Sequence, residues 1–488
     1  MSALNQSGDL LPYTQVLPAA LATPQKPSAT NLVTARRQVR IVPQGGMAYG
    51  ASGAGASGAQ LQFLIPATTE LIDPRSVRLS YNIQTSGTTI SAVDDGHPFT
   101  TCQVSIGGRI VDNIQNAAKL TNIETKMGAS HSWYRSAGSF AGFELLNPDL
   151  TTTLPTTATT SMIASQPQFG YVANNLADIS TRCRRAANAI FQNLPGEQRT
   201  IPCGLMSGLF RVPQYLPLRQ MGDVSIVLVS GSKQEVCVQN NANADADYSL
   251  SQVYLEYDVL ECSPEYAALL ARSEVVVPFE STIVAQPGAI LASASSITQT
   301  DFSVSRATTN LIRTSLVQIP TTLTAAYQLP VQSCFSHAGL FGFQVRVGSR
   351  MFPSIPTTGD AALFAMSLAA YGSPIQEGGS VVNRVLWGNS TNATTPATAN
   401  VYETADAASS GTTKFAYGDS CIPSYGFRLL KGASDPLDVD GVNVSADSGA
   451  VITISVASAP AVSYTPYVSI VALKFLRVSN GMFEVMGA

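Results

Sequence analysis

Short stretches in which apolar and polar residues alternate dominate the chain. Leu61-Gln-Phe-Leu-Ile-Pro66 and Val77-Arg-Leu-Ser-Tyr-Asn-Ile83 follow the two-residue period of a strand with one buried face. In Val253–Leu260 the apolar Val253, Leu255, Tyr257 and Val259 alternate with Tyr254, Glu256 and Asp258. Cys102-Gln-Val-Ser-Ile106, Gly107-Gly108 and Arg109-Ile-Val-Asp-Asn-Ile114 together predict a hairpin, because two glycines supply the positive φ values of a tight two-residue turn. Strands are also expected at Leu209–Val212 and Val224–Val229.

Helical signals are sparse: Ala117–Met127, Leu176–Phe191 and Pro264–Arg272, the last with Ser263 placed to cap and Pro264 in the first turn. This third helix falls near the middle of the chain. After it strand patterns resume at Val275-Val-Val-Pro-Phe279 and continue through Asp301–Val304, Asn310–Ile319, Phe341–Val347, Val451–Val456 and Tyr467–Leu476. Long excursions interrupt both halves, at Asn147–Gln168, with its Thr-rich Leu150–Ser161, and at Trp387–Thr413. Excursions of this length are usually exposed or functional. The Ser-, Ala-, Pro- and Gln-rich Met1–Thr30 carries no sustained period and is expected to be an arm that orders against neighbours. No fixed short repeat runs through the chain, so the pattern describes paired β-sandwiches better than a barrel enzyme or a propeller.

Composition sharpens this picture. A chain of 488 residues is long enough for two cores of roughly 200 residues each. Charged residues make up 12% against 45% hydrophobic, about half of the roughly 25% charged share of ordinary soluble domains. Such a chain is expected to hide much of its surface against partners. Membrane insertion does not explain the low charge, since Val468–Leu473 is cut off by Lys474 and Arg477, far short of the ~20 apolar residues a spanning helix needs. The net charge of −4 argues against charge-driven wrapping of nucleic acid. Seven scattered cysteines without a Cys-x-x-Cys pair read as reduced, mostly buried thiols, and the start of the chain lacks the basic and apolar signature of a cleaved secretion signal.

The order of segments resembles the double jelly-roll major capsid proteins of eukaryotic DNA viruses, namely the virophage, polinton-like virus and nucleocytoplasmic large DNA virus lineage. In the first half the similarity rests on Leu61–Pro66 before Leu71-Ile-Asp-Pro-Arg75 and Val77–Ile83, then on the Val104–Ile114 hairpin with its following helix. Ile201-Pro-Cys-Gly-Leu205 through Tyr215-Leu-Pro-Leu218 to Val224–Val229 is similar to the family's approach to its "YIPL" strand. In the second half, Phe343-Gln-Val-Arg-Val-Gly-Ser349 with Met351-Phe-Pro-Ser-Ile-Pro356 resembles a "Q-x-R-x-G…P-x-x-P" element, and Gly441-Val-Asn443 a late glycine turn. The resemblance spans nearly the whole chain and is one of pattern and spacing.

It implies an all-β fold of two consecutive antiparallel eight-stranded jelly-roll β-sandwiches with few short helices and long loop insertions. The expected division is an arm at 1–30, a first jelly roll at 31–262, a linker helix at 263–273 and a second jelly roll at 274–488. The implied function is self-assembly as a homotrimer, a pseudo-hexagonal capsomer tiling an icosahedral virion shell with neighbouring capsomers, built in the host cytoplasm or nucleus. Penton and minor capsid proteins are the implied partners, and the arm could reach an internal membrane or genome-associated components; direct sequence-specific nucleic-acid binding is not expected. The competing classes are a virion spike or glycan-binding β-sandwich and a β-sandwich hydrolase.

Signals for chemistry are weak. Gly53-Ala-Gly55-Ala-Ser-Gly58 spells a dinucleotide-binding loop but leads into the Leu61–Ile65 strand instead of a helix, so a plain loop is expected. His97, His131 and His337 stand apart from any metal-ligand spacing, and His337 beside Cys334 and Ser336 reads as a packed or hydrogen-bonded residue. Asp94-Asp95 and Asp435, Asp438, Asp440 lack the calcium-loop pattern and are expected in solvated turns. Asn5, Asn389, Asn392 and Asn443 head glycosylation triplets that are expected to be unmodified. No catalytic, cofactor-binding or metal-binding residue is assigned, no cofactor is expected, and the chain is expected not to be an enzyme.

Overall fold

The structure is a computed structural model. It describes residues 33–50, 55–68, 70–86, 91–94, 96–143, 197–239, 247–263, 275–291, 297–305, 310–321, 339–371, 421–428, 441–444, 451–458, 463–479 and 482–486, and singly 308, 332, 335, 337, 382 and 387. The expected arm 1–30, the helices Leu176–Phe191 and Pro264–Arg272, the linker 263–273 beyond Ser263, and both long excursions apart from Trp387 lie outside the described residues.

Eleven strands precede residue 263: β1 (Val33–Ile41), β2 (Gln60–Ile65), β3 (Leu71–Ser86), β4 (Ser91–Val93), β5 (Phe99–Ile106), β6 (Arg109–Gln115), β7 (Glu197–Pro202), β8 (Leu216–Pro217), β9 (Val224–Ser230), β10 (Cys237–Gln239) and β11 (Asp247–Cys262). They form antiparallel sheets in the orders β1-β11-β3-β7, with β8 beside β3, and β2-β9-β5-β6, plus the small pair β10-β4. Setting aside β4, β8 and β10, the remaining eight strands in chain order occupy the two sheets as 1-8-3-6 and 2-7-4-5, a jelly roll.

The same order recurs after residue 274, in β12 (Val275–Ala285), β13 (Thr298–Ser305), β14 (Leu311–Pro320), β15 (Leu340–Val347), β16 (Arg350–Thr358), β17 (Ser424–Gly426), β18 (Val451–Ser458) and β19 (Tyr464–Ser479). Their sheets run β12-β19-β14-β17 and β13-β18-β15-β16, and a final strand, β20 (Met482–Met486), folds back on β19. Two jelly rolls therefore follow one another along the chain.

The two-residue period is what builds these sheets. In β9 the side chains of Val224, Ile226 and Leu228 are buried while the residues between them are half exposed, and β11 shows the same alternation from Val253 to Val259. The predicted hairpin is present, with Ile106 paired to Arg109 and Gly107 and Gly108 at φ 51° and 81°. Buried apolar side chains from both sandwiches form one continuous cluster.

One expected strand needs correction, and another is longer than its pattern. Leu209–Val212 is not a strand: Gly208–Arg211 forms a 3-10 turn in which Leu209 and Phe210 are both buried, so the apolar run reflects burial on two sides. Leu71–Arg75 and Val77–Ile83 are one strand, β3, carried past Pro74 by a bulge. There Asp73 and Arg78 pair with Asp258 and Glu256, leaving the proline, which has no N–H to donate, off the ladder. Among the described helices only two exceed ten residues: α1 (Ala117–Gly128), as expected, and α2 (Asp360–Ala370), which was not anticipated.

Candidate functional site at the junction of the sandwiches

α1 leaves the end of β6 through Asn116, whose left-handed backbone (φ 55°) turns the chain sharply into the helix. Ten of its twelve residues are buried, so it has no solvent face; it is wedged between the two sandwiches. Polar side chains inside α1 are accordingly held by specific partners. The hydroxyls of Thr121 and Thr125 donate to carbonyls one turn back, those of Ala117 and Thr121.

On the side of the first sandwich, His97 Nδ1 accepts from the Phe99 amide at 3.2 Å. That fixes the proton on Nε2, which sits 2.9 Å from Thr121 Oγ1. Burial, reinforced by the nearby Arg199 guanidinium, pushes the His97 pKa down to about 3. His97 is a neutral hydrogen-bonded core residue.

On the side of the second sandwich α1 presents charge. Glu124 pairs with Arg313 of β14 and lies 3.7 Å from Arg211 of the 3-10 turn. Arg211 also approaches Glu280 of β12 at 3.6 Å, and Glu280 pairs with Arg428. Arg313 stacks over the Tyr371 ring, 3.9 Å from its centroid. Burial works against the charge on Glu280, but Arg313, Arg428 and Arg211 outweigh it and hold the carboxyl below its ordinary range. Lys119, 3% exposed, reaches over the Tyr467 ring at 4.9 Å, and Lys126 lies 5.3 Å from the Phe335 ring centroid. One helix thus sends Lys119, Glu124 and Lys126 into the other half of the molecule.

Three further contacts tighten the joint. The buried Asp112 of β6 accepts from Ser207 Oγ at 2.6 Å and from Ser281 Oγ of β12 at 2.9 Å, and burial raises its pKa. At Gly208 a Cβ would run into the Glu280 carbonyl oxygen, so only glycine permits the 3-10 turn to lie this close to β12. Phe483 of β20 packs on the Gly107 turn, with its carbonyl 3.4 Å from Arg109 Nη1.

The outer edge differs. Along β1, Arg36 pairs with Asp258 (2.5 Å), Arg37 with Glu70 (2.5 Å) and Glu261 (3.0 Å), and Arg40 with Glu256 (2.6 Å). The three guanidinium groups are exposed while Asp258, Glu70 and Glu256 are largely covered, and β1 is the end strand of its sheet among the described residues.

The residues weighed for chemistry do not converge. Gly55 and Gly58, both at positive φ, precede β2, in keeping with a plain loop. Buried His337 places Nε2 2.9 Å from Asp360 Oδ1 at the start of α2, a carboxylate partner 23 residues away that local spacing could not reveal. Asp94 departs from the solvated-turn expectation: it is 5% exposed, and its Oδ2 accepts from the Gln332 amide at 2.8 Å. Cys102, Cys203, Cys237 and Cys421 are buried thiols whose pKa values burial pushes up, and Cys262 is half-buried. Among the described residues no three His, Cys, Asp or Glu side chains gather in a metal-binding group. Asp95, Cys334 and Ser336, the acids at 435–440 and the asparagines at 5, 389 and 392 lie outside the described residues, while Asn443 is exposed.

No family model matches the chain, and no curated protein matches it. Solved structures do. PBCV-1 VP54, fitted into a cryo-EM reconstruction of the virophage Sputnik, aligns over 95% of this chain and 99% of its own with a TM-score of 0.55 at 12% identity. The Sputnik virophage structure aligns over 96% and 91% with a TM-score of 0.52 at 12% identity. The mavirus major capsid protein aligns over 96% and 94% with a TM-score of 0.51 at 11% identity. The chain shares the double jelly-roll fold of these proteins over nearly its full length.

Proposed function

We propose that this chain is a major capsid protein that assembles as a homotrimer, a pseudo-hexagonal capsomer, and tiles an icosahedral virion shell. The observation that carries the reading is the junction: two jelly rolls of identical strand order are joined by a buried helix and cross-half ion pairs into one block, in a fold matched end to end by viral capsid proteins. A tile must transmit contact forces without hinging, and a buried charged joint resists rotation because any slip strands charges out of water. The low charged share fits flanks that are covered by neighbours, since apolar area buried at an interface contributes roughly 25 cal/mol per Å² before ordering costs.

On this reading residues 31–262 and 274–488 are the two jelly rolls, 263–273 links them, 1–30 is an arm reaching other subunits or interior components, and penton and minor capsid proteins complete the shell in the virion. No residue is given a catalytic role. The test is the solution mass of the purified chain combined with negative-stain imaging. A trimer with a hexagonal outline is expected; a monomer at every concentration and salt condition would overturn the assignment.

A further inference from the structure

The repeat between the sandwiches extends to the helix that follows the fifth strand of each. In the first sandwich, edge strand β6 runs directly into α1, and this strand–helix unit is covered by the second sandwich, whose own first strand, β12, packs against β6. In the second sandwich, edge strand β16 runs directly into α2 in the same relation, and that unit faces outward. Ile355 is 77% exposed, Met351 52% and Phe341 44%. On α2 the alanines 361, 362, 365 and 369 are exposed, and Asp360 is the helix's one charged residue. A helix apolar on every face is normally covered.

The strand of the first sandwich that corresponds to β12 is β1, which like β12 ends its sheet among the described residues but is exposed at Thr34 through Gln38 and at Arg40. The chain therefore carries one satisfied copy of a contact and the two separated halves of an unsatisfied one. We infer that the β16–α2 face of one copy packs against β1 of a second copy, as β6–α1 packs against β12 within the chain. This rests on the trimer reading above and names its contact.

Charge supports the pairing. Arg346 and Arg350, which border the exposed hairpin, have no ion-pair partner among the described residues. Arg36, Arg37 and Arg40 of β1 and Arg78 of β3 share five carboxylates beside them (Glu70, Asp73, Glu256, Asp258 and Glu261), leaving one negative charge over. Pro353 and Pro356 lack the N–H groups needed to continue a ladder, so β16 docks through side chains instead of extending the sheet. The contact is head to tail, and repeated in alternation with the internal junction it closes a ring whenever the rotation per sandwich divides a full turn; three chains correspond to six sandwiches.

The test combines two designs in the full-length chain. Ile355→Asp with Ala365→Glu buries two carboxylates in the proposed contact, where the arginines of β1 are already paired, at positions that an isolated copy leaves in solvent. The expected result is an unchanged melting temperature with association weakened on the order of a hundredfold, read as trimer against monomer by sedimentation. Separately, Ile355→Cys with Gln38→Cys in one chain is expected to give covalent rings of three on mild oxidation, while either cysteine alone leaves chains unlinked. A charge variant that stays trimeric at wild-type affinity, or a double-cysteine chain that forms no interchain link, overturns this docking and leaves the trimer intact. A wild-type chain that is monomeric throughout removes the trimer itself.

Discussion

Among the described residues arginine–carboxylate pairs occupy two regions, the junction around α1 and the sheet end along β1, and their surroundings differ sharply. At the junction Arg313 and Glu124 are 7% and 11% exposed; at the edge Arg36 is 57% exposed above Asp258 at 17%. Taking charges out of water is costly, so the junction pairs hold the halves in one orientation by penalising every other, with little net gain from the pairs themselves. The edge pairs remain screened by solvent and salt. What they supply is a row of charge on an open strand, which discourages indiscriminate sheet-to-sheet pairing.

The largest expected effect comes from breaking the buried side of this comparison. Arg313→Met keeps most of the volume but leaves Glu124 facing only Arg211 at 3.7 Å, and should cost about 3–5 kcal/mol in urea unfolding. Adding Glu124→Gln should return part of that loss, because the stranded charge is then gone; a double variant no more stable than Arg313→Met alone would show that the ion pair is not the reason. Next in size is Gly208→Ala, which drives a methyl group into the Glu280 carbonyl and forces β12 away from the 3-10 turn. A loss of about 1–3 kcal/mol is expected, with the folded far-UV spectrum retained.

The strands were legible because a sheet with one wet face writes its period into the chain, and the Gly107–Gly108 turn because a positive φ at two successive positions calls for glycine. β1 escaped notice because Arg37 interrupts the alternation of Val33, Ala35, Val39 and Ile41 with polar residues, and residues 34–38 and 40 are exposed. α2 escaped because Asp360–Ala370 is apolar all round, which leaves no stripe at helical spacing. Leu209–Val212 misled because neighbours buried on two sides look like a core strand. The junction itself was invisible: Glu124 and Arg313 are 189 residues apart, and nothing in either neighbourhood announces the other.

A smaller, pH-dependent effect separates the two sides of α1. His97 titrates near 3 in the folded chain and near 6.5 when unfolded, so its contribution is fully present above about pH 6.5. It is lost as the solution is acidified toward pH 3, because the unfolded chain takes up a proton that the fold refuses. Wild type should therefore lose about 1.4 kcal/mol per pH unit in this window relative to His97→Gln, whose amide keeps polar contacts without titrating. Parallel stability curves for the two proteins between pH 6 and 4 would mean that this side of the helix is wet.

The smallest effect belongs to the edge and is the most discriminating. Arg36→Ala removes a guanidinium that is mostly in solvent, and in the isolated chain the change should stay below about 0.5 kcal/mol, vanishing further in high salt. If β1 is covered by the β16–α2 face of a neighbour, the same side chain is withdrawn from water on assembly, and its loss leaves Asp258 and Asp73 without their arginine inside a closed contact. Arg36→Ala should then be nearly silent in monomer unfolding yet shift the trimer dissociation midpoint measurably. Equal small effects on both measurements would confine β1 to edge protection and place the intersubunit contact on another surface.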